Sequence, residues 1–337
     1  MPYRSYTETI EAVFNLGIAK ANKPYPKVLM GGFLAGIYIG FGSILAIIVG
    51  TMPGISGSGN PGISKFFFGA VFPVGLMIII IAGAELFTGN TMALIPGFLS
   101  RKITFFQVIK NWTLVYISNL VGSIFLAWLF AVQTNLFTED PYLSKVQGIA
   151  EMKTTLPWFT AFFRGIGCNT LVCIAVYMAI ASQDIISKIF SCWWPIMCFV
   201  AIGFEHSIAN QTFIPLGIFY DADVTWYSFF FKNLVPVTLG NIVGGSLIVG
   251  TSYWFIYYNS EDKEKSEESS NTSSEDFGQE DPHNNDFDEI AVDGRTRIYR
   301  LSQENPIGSL VYSNKKKPKI DTDEEDNENL LEGDSDN

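Results

Sequence analysis

Six long runs of apolar residues occupy most of the first 258 positions of the chain. They cover residues 28–50, 66–100, 112–136, 157–181, 189–219 and 233–258, with the polar residues gathered between them. A helix needs about 20 mainly apolar residues to cross a bilayer, and each run reaches that length. The pattern therefore predicts an all-α, multi-pass integral membrane protein with six transmembrane helices.

The second and fifth runs differ from the others in length. At 35 and 31 residues, each is too long for one straight helix and too short for two spans and a turn. Each also contains proline, glycine and a carboxylate, Glu85 or Glu205. We therefore predict that both helices are broken at membrane depth, where a non-helical segment must be buried in protein or line a wet cavity.

The two broken runs belong to an internal repeat. Their centres read AELFTGN (84–90) and FEHSIAN (204–210), an offset of 120 residues. The runs that follow them align from Lys110, KNWTLVYISNLVGS, and from Lys232, KNLVPVTLGNIVGG, at an offset of 122. Two repeats of three helices must lie in opposite orientations because three is odd. The sequence thus predicts an inverted 3+3 repeat, with a site at the midplane between the broken helices.

Charge divides the chain into three predicted segments. Residues 259–337 hold 23 acidic and 9 basic residues, a net charge of −14, which leaves +3 for the rest of a chain whose total is −11. This stretch has no apolar periodicity and is predicted to be a disordered acidic cytosolic tail. Residues 1–27 are predicted to be a cytosolic N-terminal segment and residues 28–258 the transmembrane domain. The acidic excess belongs to the tail, and no nucleic-acid partner is predicted.

Lys and Arg residues determine the predicted orientation. With the N-terminus in the cytosol, the inner segments carry Arg4, Lys20, Lys23, Lys27, Arg101, Lys102, Lys110 and Lys188, and the outer loops carry Lys65, Lys145, Lys153 and Lys232. An excess of positive charge in short loops marks the cytosolic side of a membrane protein. Both termini are therefore predicted to be cytosolic.

Charged residues inside the apolar runs are the first candidates for function. A charge at the bilayer centre costs about 2.5–3.5 kcal/mol, so it is retained mainly where it has a role. Glu85 and Glu205 occupy equivalent repeat positions, and we expect them to accept hydrogen bonds from free backbone N–H groups at the helix breaks. Asn90 and Asn210, five residues later, are assigned to the same support of the breaks. His206 has no equivalent in the first half, which predicts a role in proton exchange or hydrogen bonding.

The remaining chemistry of the chain is sparse. The four cysteines, Cys168, Cys173, Cys192 and Cys198, lie in apolar runs without a CxxC motif, and we expect them to be structural thiols. The sequence contains no Walker lysine motif. No metal site, no cofactor and no enzymatic activity are predicted.

Motifs on four of the predicted helices resemble the formate–nitrite transporter family. The motifs are AELFTGN, GCNTLVC (167–173), GFEHSIAN (203–210) and KNLVPVTLGNIVGG, and the similarity extends over roughly residues 5–258. On this basis the chain is identified as a eukaryotic member, although Glu85 stands where the family motif often has Asp. The resemblance implies an aquaporin-like fold, a pore within each protomer and a homopentamer in the lipid bilayer. It also implies transport of small monovalent weak-acid anions such as formate, nitrite, lactate or hydrosulfide.

The resemblance also implies roles for individual residues, matched motif by motif. Leu86, Phe87 and Thr88 correspond to the loop between the halves of the second helix, with Leu86 and Phe87 as part of the constriction and Thr88 on the substrate path. Phe72 and Phe199 correspond to two apolar constrictions that flank the central histidine, His206. Lys153 and Asn169 correspond to a vestibule pair that draws in the anion, with Arg164 as the alternative cation.

The predicted mechanism follows from the cost of dehydrating an anion among apolar rings. The anion would take a proton from bulk water or from His206, cross as the neutral acid and release the proton on the far side. A neutral-solute channel of the aquaporin type is one alternative; it predicts Asn-Pro-Ala-like motifs at the breaks, whereas Asn-Pro occurs here at Asn60-Pro61 and Asn305-Pro306. An intramembrane hydrolase is the other, and it would need a serine facing His206 from a helix start, which the adjacent Ser207 does not easily provide.

Overall fold

The computed structural model describes residues 3–52, 54–55, 59–258, 287–291 and 297–301. The chain divides into two units, Met1–Ser260 and Glu261–Asn337. The first unit is helical. The described part of the second unit consists of two antiparallel strands, β1 (Phe287–Ala291) and β2 (Arg297–Leu301), with Phe287 opposite Leu301. The rest of the tail predicted to be disordered lies outside the described residues.

The helices of the first unit fall into two halves. The first half contains α1 (Tyr6–Ala21), α2 (Tyr25–Gly50), α3 (Pro61–Val71), α4 (Val74–Ala82), α5 (Phe87–Ala93), α6 (Ile95–Leu99) and α7 (Phe105–Leu126), which continues as a π-helical segment (Ala127–Val132). The second half contains α8 (Tyr142–Thr154), α9 (Trp158–Ala181), α10 (Ile185–Ile202), α11 (Ser207–Phe219), a π-helical segment (Ser228–Leu234), α12 (Val235–Ile242), a second π-helical segment (Val243–Thr251) and α13 (Ser252–Tyr257).

Six helices in the described residues are long and apolar enough to cross a membrane, which confirms the six predicted spans. They are Tyr25–Gly50, Pro61–Ala82, Phe105–Val132, Trp158–Ala181, Ile185–Ile202 and Ser228–Tyr257. The chain is an integral membrane protein. The apolar pattern does not reveal α1 and α8, the helices that precede the first span of each half. Ser5 and Glu8 begin α1 with a capping box, in which each side chain bonds the other's backbone N–H.

Both broken helices are present and are built alike. The helix α4 ends at Gly83 (φ 72°) and α10 ends at Gly203 (φ 88°), left-handed conformations that glycine adopts without strain. Three non-helical residues follow in each case, 84–86 and 204–206, before α5 and α11 begin. The inverted repeat therefore places two short helices, each starting inside the protein, against one another.

One asparagine on the third span of each half holds the break of that half. Asn119 Oδ1 accepts the Phe87 N–H at 3.0 Å, and Asn119 Nδ2 donates to the carbonyls of Gly32 (2.8 Å) and Glu85 (2.9 Å). Asn241 makes the equivalent bonds with Ser207 N–H (2.9 Å), Gly165 O (2.8 Å) and Glu205 O (3.0 Å). Each asparagine therefore supplies the donors and acceptor that the interrupted backbone lacks.

These contacts correct one expectation from the sequence. Glu85 and Glu205 were expected to accept the free backbone N–H groups at the breaks, but Asn119 and Asn241 do so at Phe87 and Ser207. The two carboxylates face lysine and asparagine side chains instead. An amide serves better at this position because it both donates and accepts, whereas an ionised carboxylate only accepts.

Candidate functional site

Two cavities lie on either side of the helix breaks. The first, of about 730 Å³, is lined by residues of α1, α4, α5 and α9 together with Glu85 and Leu86. The second, of about 340 Å³, is lined by residues of α3, α8, α10 and α11 together with Glu205 and His206. The two break segments thus end at opposite cavities, as an inverted repeat requires.

Both cavities are strongly basic. The described lining of the first contains Arg4, Lys20, Lys23, Lys27 and Lys188 with the single carboxylate Glu85. That of the second contains Lys65, Lys145, Lys153 and Arg164 with the single carboxylate Glu205. Concave surfaces with one sign of charge concentrate ions of the opposite sign, so both cavities favour anions.

Glu85 sits in a cluster with two lysines of the N-terminal segment. Its carboxylate lies 2.6 Å from Lys20 Nζ and 2.7 Å from Lys23 Nζ and accepts a 3.0 Å hydrogen bond from Asn90. Asn90 also donates to Asn111, whose own amide donates to the Lys20 carbonyl. Burial lowers the pKa of Lys20, and the attraction of the Glu85 carboxylate opposes this.

Glu205 sits in the equivalent cluster of the second half. Lys153 Nζ lies 3.0 Å from its carboxylate, and Asn210 donates to the same group at 2.7 Å. Asn210 also donates to Asn233, whose amide donates to the Lys153 carbonyl. Lys153 is therefore the structural counterpart of Lys20.

Lys20 and Lys23 are site residues that the sequence analysis missed. Lys20 lies 65 residues before its carboxylate and Lys153 lies 52 residues before its own, so the repeat offset found for the glutamates does not reveal the pair. The available signal was that both Lys20 and Lys153 precede the first span of their half, on helices that the apolar pattern did not identify.

Three aromatic rings pack together beside the second cavity. Phe72 and Phe199 meet edge to face with ring centroids 6.1 Å apart, and Phe199 stacks on the His206 ring at 5.8 Å. All three residues line the second cavity. The two phenylalanines therefore lie in contact at the same cavity. They do not form two constrictions on opposite sides of His206, as the resemblance implies.

The lining of the first cavity departs from the residues assigned by resemblance. Leu86 lines it, together with Leu76 and Ile79, which lie one and two turns after Phe72 on α4. Phe87 lines neither cavity in the described residues and packs against Tyr116 (4.9 Å) and Trp112. Leu76 was missed, although its spacing of four from Phe72 places both on one helix face.

His206 and Thr88 form a polar pair between the two cavities. His206 Nε2 lies 3.0 Å from Thr88 Oγ1, and His206 Nδ1 accepts the backbone N–H of Ala209 at 3.0 Å. Because Nδ1 is an acceptor, the neutral ring carries its proton on Nε2 and donates to Thr88. The Thr88 hydroxyl proton is then directed to a different acceptor. Neither ring nitrogen contacts a serine in the described residues.

Asn169 and Lys153 do not form the vestibule pair expected from the resemblance. Lys153 lines the second cavity beside Arg164. Asn169 is fully buried and bonds the carbonyls of Thr88 (3.2 Å) and Asn241 (2.6 Å). Both candidate cations therefore line the second cavity, while Asn169 lies beside Thr88 and lines neither cavity in the described residues.

In the part of the chain that the structure describes, no group of three or more His, Cys, Asp or Glu side chains could hold a metal ion.

Residues 7–255 match the family model described as "Formate/nitrite transporter". The chain is 47% identical over 270 residues to a "Probable formate transporter" of Methanothermobacter thermautotrophicus, covering 76% of this chain and 97% of that protein. It is 40% identical to the "Uncharacterized transporter YrhG" of Bacillus subtilis, covering 79% and 98%. A solved structure described as "Pentameric formate channel with formate bound" superimposes with a TM-score of 0.63 at 34% identity, covering 70% and 98%. With these two relatives from an archaeon and a bacterium, a eukaryotic origin stays a prediction.

Proposed function

The chain belongs to the formate/nitrite transporter family, whose members are membrane transporters and channels, and from this premise we propose that it carries small monovalent weak-acid anions together with a proton. Formate, nitrite and lactate are the candidate substrates. The observation that carries the proposal is the order of environments along the path: a basic cavity, an apolar barrier containing the His206–Thr88 pair, and a second basic cavity.

The basic cavities and the apolar barrier select for opposite properties. The cavities attract an anion, whereas the Phe72 and Phe199 rings make its passage in charged form unfavourable because they cannot replace its hydration shell. Desolvation raises the proton affinity of a carboxylate or nitrite as it nears the rings. The neutral acid crosses more readily, so net flux consists of one anion and one proton.

Bulk water is the proton source that the hydrogen bonds favour. Adding a proton to His206 Nδ1 would direct an N–H at the Ala209 N–H and remove the bond that begins α11. The neutral ring instead donates from Nε2 to Thr88, and the Thr88 hydroxyl offers its proton to the passing solute as a hydrogen bond. His206 thus orients a donor rather than delivering the proton.

The same proposal includes orientation and assembly. The cavity that contains Lys20 and Lys23 faces the cytosol with both termini, in keeping with the distribution of Lys and Arg. The protein assembles as a homopentamer, which the pentameric architecture of the related formate channel supports. The membrane-spanning helices also expose large apolar side chains suited to contact lipid or a neighbouring protomer, Phe159, Phe190 and Phe255 among them.

Proteoliposomes that contain a pH-sensitive dye test this function. We expect an inward gradient of labelled formate to drive uptake and to acidify the lumen in equal amount, faster than in protein-free liposomes. Nitrite, lactate and acetate in parallel at two pH values give the substrate order, and His206→Phe is expected to abolish uptake. Uptake without acidification, together with normal transport by His206→Phe, would contradict the proposal.

A further inference from the structure

Three side chains outside both cavities converge on the backbone of Thr88. The Thr88 carbonyl oxygen accepts hydrogen bonds from Thr91 Oγ1 at 2.6 Å, Asn169 Nδ2 at 3.2 Å and Cys173 Sγ at 3.5 Å. Each of these four residues is fully buried. A carbonyl oxygen has two lone pairs, so these three side-chain donors occupy its accepting capacity fully. Together they restrain the backbone of Thr88 at the start of α5.

The donors are also linked to one another and to neighbouring helices. Asn169 Nδ2 donates to Thr91 Oγ1 at 2.8 Å and to the Asn241 carbonyl at 2.6 Å, so its two N–H bonds are shared among three acceptors. Asn169 belongs to α9 and Asn241 to α12. The first turn of α5 is therefore tied to two transmembrane helices of the other half.

Gly245 makes room for this group of side chains. A Cβ atom at this glycine would overlap Thr91 Oγ1 and lie 2.6 Å from Asn169 Nδ2. Gly245 lies in the π-helical segment Val243–Thr251, and the next residue, Ser246, donates to the Thr91 carbonyl at 3.0 Å. π-helical insertions are frequent at functional sites. The backbone of the last span is thus shaped to fit Thr91 and Asn169.

The repeat shows that the fold does not require these residue types. At the equivalent offsets, Thr91 corresponds to Gln211, Gly245 to Ser123 and Asn169 to Gly36. The last match uses the offset of 133 that relates Gly32 to Gly165, the carbonyls bonded by Asn119 and Asn241. The first half closes around different side chains. The group is therefore specific to the place where Thr88 faces His206.

We propose that Thr91, Asn169 and Cys173 are positioning residues that hold the Thr88 hydroxyl 3.0 Å from His206 Nε2. Gly245 leaves the space in which Thr91 and Asn169 pack. The three positioning residues act through Thr88 and do not touch the solute. The proposal rests on the proposed function, since it assigns these residues to selection of the anion or its acid. Held in this way, the Thr88 hydroxyl offers its hydrogen bond at one fixed position along the path, beside His206. Solutes that cannot accept a hydrogen bond at that position pass more slowly.

Thr91→Val, which keeps the shape but removes the hydroxyl, provides the test in proteoliposomes. We expect formate uptake to fall about tenfold, as for loss of one buried hydrogen bond with its geometry, and the ratio of formate to acetate uptake to fall as well. Thr91→Ser should restore both.

A double variant tests whether Thr91 acts through Thr88. Thr88→Val combined with Thr91→Val should match Thr88→Val alone, because two residues that act as a unit are not additive. Ser123→Ala, at the position equivalent to Gly245, is the matched control and should transport normally.

The outcomes separate this proposal from the proposed function. Normal transport by Thr91→Val with loss in Thr88→Val overturns the positioning role and leaves the function standing, as does an additive double variant. Normal transport by both Thr88→Val and His206→Phe, together with uptake that does not acidify the lumen, contradicts the proposed function. If Thr91→Val does not elute as a single species in gel filtration, Cys173→Ala replaces it, with an expected loss of about twofold that Cys173→Ser restores. An unchanged rate in Cys173→Ala would then overturn the proposal.

Discussion

At the scale of single residues, the two buried glutamates are equivalent in position but not in charge balance. Glu205 faces one lysine, Lys153, whereas Glu85 faces both Lys20 and Lys23. The side chains of Lys153 and Lys20 are 10% and 14% exposed, and that of Lys23 is 31% exposed. The Glu205 cluster is therefore neutral and closed, and the Glu85 cluster keeps one additional positive charge near water.

This difference predicts unequal effects on stability. Lys153→Met leaves Glu205 buried without the one cation that contacts it in the described residues, and removing a partner from a buried ion pair costs about 3–5 kcal/mol. Lys23→Met leaves Glu85 paired with Lys20, and the more exposed pair contributes about 1 kcal/mol or less. Thermal unfolding of both variants in detergent, followed by Trp fluorescence, checks the order. Equal losses would show that the two clusters are equally closed.

The sequence predicts these residues only in part. The repeat and the scarcity of charge identify Glu85, Glu205 and His206, because each violates the apolar pattern. The partners of the glutamates are not accessible in the same way, since Lys20 lies in a helix with ordinary polarity and meets Glu85 only after the chain has folded. The equivalence of Asn119 and Asn241 in the repeat is visible in the sequence. That these two residues hold the breaks is seen only in the structure.

At the scale of elements, the breaks depend on a left-handed glycine followed by three non-helical residues. Excess length, proline and a buried carboxylate predict that a helix is interrupted, and the structure confirms this for the second and fifth spans. The exact place of the interruption follows from Gly83 and Gly203, which the sequence does not distinguish from the many glycines that mediate helix packing. Gly122 and Gly244, for example, lie against the carbonyls of Phe33 and Ile166 and carry no turn.

Substitution at Gly83 separates backbone strain from packing. No atom lies within 4 Å of a Cβ built at this position, so a side chain fits, but φ is 72°. Alanine in this conformation costs about 1–2 kcal/mol, whereas asparagine tolerates it better. We expect thermal stability to decrease in the order Gly83, Gly83→Asn, Gly83→Ala. A more stable alanine variant would mean that the break adopts a different backbone conformation.

At the scale of the whole molecule, a symmetric scaffold carries an asymmetric path. Three features repeat from one half to the other: the asparagines that hold the breaks, Asn119 and Asn241, the glutamate clusters, and the glycines at the breaks. His206, Thr88, Asn169 and Lys23 do not repeat: the first three gather at the barrier and the fourth adds charge to one cavity. We expect the repeated scaffold to admit the anion from either cavity, and the residues that do not repeat to make entry from the two sides unequal.

Lys23→Gln tests that difference in membrane vesicles of defined orientation. Removing one cation from the first cavity should raise the half-saturating formate concentration several-fold for entry from that side, because the cavity attracts the anion less strongly. Entry from the side of the second cavity should be unchanged.

The rise in the half-saturating concentration should shrink as ionic strength increases, since the Debye length falls from about 10 Å at 0.1 M salt to about 3 Å at 1 M. An equal change on both sides would indicate instead that Lys23 alters the barrier, and a change that persists at high salt would indicate a structural effect rather than attraction of the anion.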